Sequence, residues 1–142
     1  MFIKTTKKIT LKAAKLMGEE ALNKCEEIGK DFVFTVVDAG GNILYIQRME
    51  DAFFTSVGIA TDKAFTAAAV KKGTHILTNI VKPENDLFGL NLTNNGRIIT
   101  FGGGLPIVVD GEVIGGVGVS GGSVQEDMAV AKAALDIFEK SK

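Results

Sequence analysis

Two overlapping glycine motifs stand in the last third of the chain. Gly116-Val117-Gly118-Val119-Ser120-Gly121 has the spacing G-x-G-x-x-G, and Gly118-Val119-Ser120-Gly121-Gly122 has the spacing G-x-S-x-G. The first is the fingerprint of a dinucleotide-binding turn, in which glycines let the backbone approach a pyrophosphate at a helix N-terminus. That chemistry also needs a further strand and an acidic residue about 20 positions on to hold the ribose. The sequence instead runs through one helical stretch to Lys142, so a dinucleotide site is not expected. The second motif is that of a strained turn presenting a nucleophilic serine, with the histidine partner last in chain order. Here the one histidine, His75, precedes Ser120. A hydrolase triad is not expected either, although geometry and not order defines one.

What remains of both motifs is a Gly-rich turn entering a helix, whose first N–H groups lack intrahelical partners and can bond an anionic or carbonyl oxygen. Gly102-Gly103-Gly104 is a second cluster. Three successive residues without Cβ cost more chain entropy than a simple turn needs, and close approach of a ligand to the backbone accounts for them. No Lys-Ser/Thr follows either run at P-loop spacing, so a nucleoside triphosphate is not indicated. Gly115, Gly116 and Gly118 have a second reading, in which they let a strand pass close against an Ala-rich helix. Charged candidates are Asp38 and Arg48 at the ends of two predicted strands and Lys63 on a predicted helix. Arg48 also has Glu50 and Asp51 within reach, and Lys63 has Asp62 beside it. The single Cys25 excludes an intramolecular disulfide, and one Cys with one His cannot supply the ligands of a structural zinc site.

The elements that must position these residues follow from periodicity and turn chemistry. Thr10 as N-cap and Gly29 as C′ residue bracket a helix whose apolar stripe runs through Leu11, Ala14, Gly18, Ala21, Cys25 and Ile28. Cys25 therefore reads as a small core residue. Phe32 to Asp38 and Ile43 to Met49 read as a hairpin across Ala39-Gly40-Gly41-Asn42. Ala52 to Lys72 reads as a helix broken at Gly58, with Ala60, Ala64, Ala67 and Ala68 forming a small-residue face. Thr74 caps a short helix to about Ile80, and Pro83 to Gly96 reads as a loop. Arg97 to Phe101, Leu105 to Val109 and Glu112 to Val119 read as strands, the last two joined at Asp110-Gly111. Ser123 and Glu126 have capping-box spacing for a final helix. Too few strands alternate with helices for a parallel sheet, so the expected class is α+β, an antiparallel sheet flanked by helices.

Composition narrows the partners. The 142 residues are 46% hydrophobic and 23% charged, as in a packed globule, and one domain over 1–142 is expected. Lys plus Arg number 16 against 17 Asp plus Glu, which provides no basic field for nucleic acid or anionic lipid. No apolar run approaches the ~20 residues of a membrane span, and no signal-peptide pattern opens the chain. A cytoplasmic location is expected, with neither nucleic acid nor membrane as partner.

Five segments occur together in order: Val37-Asp38-Ala39-Gly40-Gly41-Asn42, Arg48-Met49-Glu50-Asp51-Ala52, Ala60-Thr61-Asp62-Lys63-Ala64, Gly102-Gly103-Gly104-Leu105-Pro106-Ile107, and Ile114 to Gly122. With them the chain resembles the GlcG/HbpS family from about Ile9 to Phe138, and it is similar to the C-terminal domain of PduO-type proteins, without the neighbouring corrinoid adenosyltransferase domain. The resemblance implies a profilin-like antiparallel five-stranded sheet flanked by helices, a homo-oligomer, and in some members haem binding. It implies a small-ligand-binding accessory protein, for haem or another tetrapyrrole, in a catabolic pathway such as diol, glycerol or glycolate utilisation. The alternative is an enzyme acting on a small hydroxy or oxo compound, with Lys63 or Asp38 shuttling a proton. On this reading the ligand-binding set is Asp38, Arg48, Lys63, Gly102, Gly103, Gly104, Ser120, Gly121 and Gly122. Arg48 and Lys63 act as exposed charges for ligand carboxylates. His75 is the candidate axial ligand of a haem iron, since Met17, Tyr45 and Met49 fit core packing better.

Overall fold

A computed structural model describes all residues 1–142. Helix α1 spans Leu11–Ile28, opened by the Thr10 hydroxyl accepting from the Ala13 N–H and closed by Gly29 in the left-handed region at φ 80°. The hairpin is formed by β1 (Val33–Asp38) and β2 (Ile43–Arg48). Helix α2 spans Thr55–Val70 and is followed by a 3-10 turn at Thr74–Ile76 and the single-turn helix α3 (Leu77–Ile80). Strands β3 (Gly104–Val109) and β4 (Glu112–Ser120) are joined by Asp110 and Gly111, whose φ values of 50° and 77° are the left-handed pair of a tight hairpin turn. Helix α4 (Val124–Ser141) carries the complete Ser123/Glu126 capping box.

The four strands form one antiparallel sheet in the order β2-β1-β4-β3. Helices α1 and α4 cover one face and α2 the other. Alternation along β1 divides its side chains between two cores. Phe34 and Val36 join the main core with Met17, Cys25 and Val130, whereas Val33 and Val37 pack with Ala60, Ala64 and Ala68 of α2. Strand β4 alternates in the same way. Val117 and Val119 enter the main core, and Gly116, Gly118 and Ser120 face α2. A Cβ on Gly116 would lie 2.3 Å from the Ala64 carbonyl oxygen, and one on Gly118 only 1.9 Å from that of Ala60. These glycines therefore seat a helix on a strand at backbone distance, which settles their two readings in favour of packing.

Three sequence expectations change. The sheet has four strands and not five, because Arg97 to Phe101 does not pair with a strand. Helix side chains take its backbone groups instead: the Thr66 hydroxyl donates to the Arg97 carbonyl and accepts from the Ile99 N–H, and Thr78 donates to the Thr100 carbonyl. Gly58 does not break α2, since its exposed position asks only for helical dihedrals and nothing approaches its missing Cβ within 4 Å. Thr74 does not cap the short helix. Gly73 occupies that position, and the buried Thr74 hydroxyl accepts from the Gly104 N–H at 3.0 Å, fixing the start of β3.

Candidate functional site

At the end of the sheet where β4 runs into α4, the side chain of Lys63 is 1% exposed and that of Asp127 is 5% exposed. Lys63 belongs to the Ala60, Ala64, Ala67 face of α2, and Asp127 to the Val130, Ala131, Ala134 face of α4. Their helices lie on opposite faces of the sheet, so the pair closes around its end. The Lys63 Nζ donates to Asp127 Oδ2 at 2.9 Å and to the Val119 carbonyl at 2.9 Å, and lies 5.1 Å from the centre of the Phe101 ring. Two hydrogen bonds and a cation–π contact thus surround the buried ammonium. Asp127 Oδ1 accepts from the Gly122 N–H at 3.0 Å, so one carboxylate ties both the lysine and the glycine turn. Burial pushes the Lys63 amine below its ordinary range and the Asp127 carboxyl above its own, while each charge opposes the other's shift.

Lys63 is therefore not the exposed charge expected from sequence. It is an internal strut whose carboxylate partner the sequence reading did not name. The neighbouring glycines are close-packed against the same strut. A Cβ on Gly103, at φ 124°, would meet the Lys63 Nζ at 2.6 Å, and one on Gly104 the Lys63 carbonyl oxygen at 2.4 Å. One on Gly102 would meet Met128 Sδ and Val124 Cγ1, each at 2.8 Å. The space freed by this triplet is filled by the protein's own atoms. Ser120 bonds Ser56, hydroxyl to hydroxyl at 3.0 Å, in the seam between β4 and α2.

Beyond Ser120, Gly121 and Gly122 line an open cleft of about 440 Å³ with Lys30, Asp31, Asp51 and Phe53. Arg48 lies at this end of the sheet, since it pairs with Val33, which pairs with Ser120. Its guanidinium donates to the carbonyls of Met49 and Glu50 at 3.2 and 2.8 Å, and not to a carboxylate. Asp38 is at the opposite end, five residues along β1 from Val33, roughly 16 Å away. Slight desolvation acts to raise its pKa, yet the N–H groups of Asn42 and Gly40 hold its carboxyl below the ordinary range. It shapes the β1–β2 turn. Cys25 is buried, and its thiol is pushed up to about 12, first by desolvation and then by the Asp127 and Asp31 charges; it is an inert core group.

His75 is exposed, and its ring rests on its own turn: a Cβ on Gly73 would meet its Cε1 at 2.5 Å and its Nδ1 at 2.6 Å. The Thr78–Thr100 bond sets this turn beside the irregular segment from Arg97 to Gly103. Ile76 on the turn is 44% exposed and Phe101 on the segment 43%. No group of three or more His, Cys, Asp or Glu side chains is arranged to hold a bare metal ion. No helix is long and apolar enough to cross a membrane.

These features describe a small α+β domain with a glycine-seated helix and a charged strut closing one end of its sheet. A family model described as "Haem degrading protein HbpS-like" matches residues 9–136, and the chain belongs to that family. It is similar to a 15.0 kDa protein of the dhaT-dhaS intergenic region of Citrobacter freundii, at 52% identity over 93% of each chain. It is also similar to the corrinoid adenosyltransferase PduO of the same organism, at 42% identity over 81% of this chain but 34% of that one; the match spans about a third of PduO. Among solved structures, the complex of PduOC with haem superposes with a TM-score of 0.89 at 36% identity, covering 92% of this chain and 94% of that one.

Proposed function

We propose that this chain binds haem or a related tetrapyrrole as an accessory protein of a catabolic pathway such as diol, glycerol or glycolate utilisation. The observation that carries the reading is the likeness to the PduOC–haem complex over nearly the whole domain. The similarity to part of PduO, a corrinoid adenosyltransferase, is in keeping with a tetrapyrrole-related ligand.

The residues present fit such a group at the 3-10 turn. Haem brings its own iron and asks the protein for an axial donor and an apolar surface. His75 is an exposed imidazole steadied by the glycine beneath it, and Ile76 and Phe101 supply exposed apolar area on adjoining segments. Replacing Gly73 by a larger residue would displace the ring. The enzymatic alternative has less support from the geometry, because the Lys63 ammonium is buried and bonded to Asp127 and the Val119 carbonyl, and Asp38 is committed to a turn at the far end of the sheet.

Titration of the purified protein with haemin, followed in the Soret band, tests the reading. Uptake of about one haem per chain is expected, and the His75→Ala variant should lose the Soret shift while melting at the parent temperature, since an exposed side chain contributes little to stability. Absence of any Soret change in the parent protein at micromolar haemin would overturn haem binding, whereas unchanged uptake by His75→Ala would remove His75 from it.

A further inference from the structure

With Lys63 engaged internally, the cation best placed to recognise a ligand is Arg97. Its Nε donates to Asp62 Oδ1 at 2.8 Å, and its guanidinium carbon stands 3.8 Å from the centre of the Phe65 ring. Asp62 and Phe65 are three residues apart on α2 and so share one face of the helix. Together they hold the guanidinium by one edge and one flat side. The backbone is fixed as well: the Arg97 carbonyl accepts from Thr66, and its N–H donates to the Asn94 carbonyl. Asn94, Asn95 and Gly96 lead into it with φ values of 53°, 58° and 75°, a left-handed run that costs free energy at the two asparagines.

This leaves the two terminal nitrogens of Arg97 without a protein partner, on a side chain that is 36% exposed. Those nitrogens present a planar pair of donors matched to the two oxygens of a carboxylate. An arginine already immobilised loses little rotamer freedom when it binds, and its net affinity rises accordingly. His75 and Arg97 each lie three residues from the Thr78–Thr100 bond that joins their segments. That places their backbones within roughly 20 Å of one another, counting helical rise on one side and extended chain on the other. A porphyrin ligated by the imidazole at its centre carries its carboxylates at its rim, on the scale needed to reach the guanidinium.

We infer that Arg97 is a preorganised receptor for a ligand carboxylate, and in the setting proposed above, for a tetrapyrrole propionate. The inference rests on that haem reading and deepens it. The test compares haemin with haemin dimethyl ester, whose propionates cannot accept as anions, on the parent protein, Arg97→Gln and Arg97→Lys, with melting curves for each. The parent should bind haemin roughly ten- to a hundred-fold more tightly than the diester, the effect of losing a charge-assisted contact. Arg97→Gln should lower haemin affinity to the diester's level and leave diester affinity unchanged. Arg97→Lys should recover only part of it, having charge without the fork. Equal affinity of the parent for haemin and diester would overturn the inference while leaving haem binding intact. So would an Arg97→Gln variant that binds haemin as the parent does, or that loses both ligands equally. Failure of the parent to bind either ligand would overturn the haem reading and the inference with it.

Discussion

Lys63→Met should be among the most damaging single substitutions in this chain, although a surface lysine on an Ala-rich helix would tolerate it. Methionine matches the length of the lysine side chain and suits a helix, so what is lost is the ammonium. Asp127 is then left 5% exposed in its present surroundings, with only the Gly122 N–H to support its charge. Removing one member of a buried ion pair costs about 3–5 kcal/mol because the other is stranded. Each kcal/mol shifts the melting temperature of a domain this size by roughly 2–4 °C, so a loss of about 10 °C is expected by calorimetry or circular dichroism at pH 7. Asp127→Asn should cost a similar amount by stranding the ammonium. The double variant removes both charges, retains an acceptor for Gly122, and should recover much of the loss, because a buried pair gains little over an apolar replacement of the same shape. A double-mutant cycle should therefore show coupling of about 2 kcal/mol or more. Coupling below about 0.5 kcal/mol, or a Lys63→Met protein that melts with the parent, would refute the strut.

Two glycines should respond to alanine with opposite signs. Gly118→Ala places a Cβ 1.9 Å from the Ala60 carbonyl oxygen and should prise α2 from the sheet, whereas Gly58→Ala meets nothing within 4 Å and should stabilise α2 by about 0.5–1 kcal/mol; thermal melts compare them directly. Glu126, at the capping box, is held down to about 2 by the Lys30 ammonium and the Ser123 N–H. A carboxyl depressed in the folded state supports folding above its unfolded value and ceases to as pH falls from about 4.5 to 2. Glu126→Gln should accordingly flatten the melting temperature's decline over that acid range, and an unaltered slope would deny the cap its role. Phe53 and Phe54 are 70% and 86% exposed just before α2, an apolar pair suited to burial against a second copy of the chain; light scattering at micromolar concentration should give a multiple of 15.0 kDa, and Phe54→Ser should lower it.

Local signals in the sequence announced most of the frame. Thr10 and Gly29 bracket α1, Asp110-Gly111 turns β3 into β4, and Ser123 with Glu126 opens α4, each close to its expected position. Those features depend on a few neighbouring residues and are written in them. The strand expected at Arg97 to Phe101 was wrong for the complementary reason. Its β-branched residues suit a strand, but a strand needs its own backbone groups free to pair with a sheet edge, and the hydroxyls of Thr66 and Thr78 engage them instead. The same substitution of partners hid Arg97, which looked like the first residue of a strand and is instead clamped by side chains some 30 positions earlier.

The buried strut shows where the remaining information lay. Along α2, Ala60, Lys63, Ala64 and Ala67 fall at the i, i+3, i+4, i+7 spacing of a buried stripe, and along α4 so do Asp127, Val130, Ala131 and Ala134. Each helix thus carries one charge of opposite sign at a position its own periodicity assigns to the core. Taken alone, either charge reads as a flaw in an amphipathic pattern or as a solvated residue at the stripe's margin. A charge cannot be buried without a partner, so two such flaws of opposite sign in one small domain imply each other. The glycines complete the argument, because a lysine can reach across the end of the sheet to α4 only if no side chain fills the path, and Gly103 leaves that space open where the ammonium passes. The triplet that resembled a ligand cradle is, at its centre, the room made for an internal ion pair.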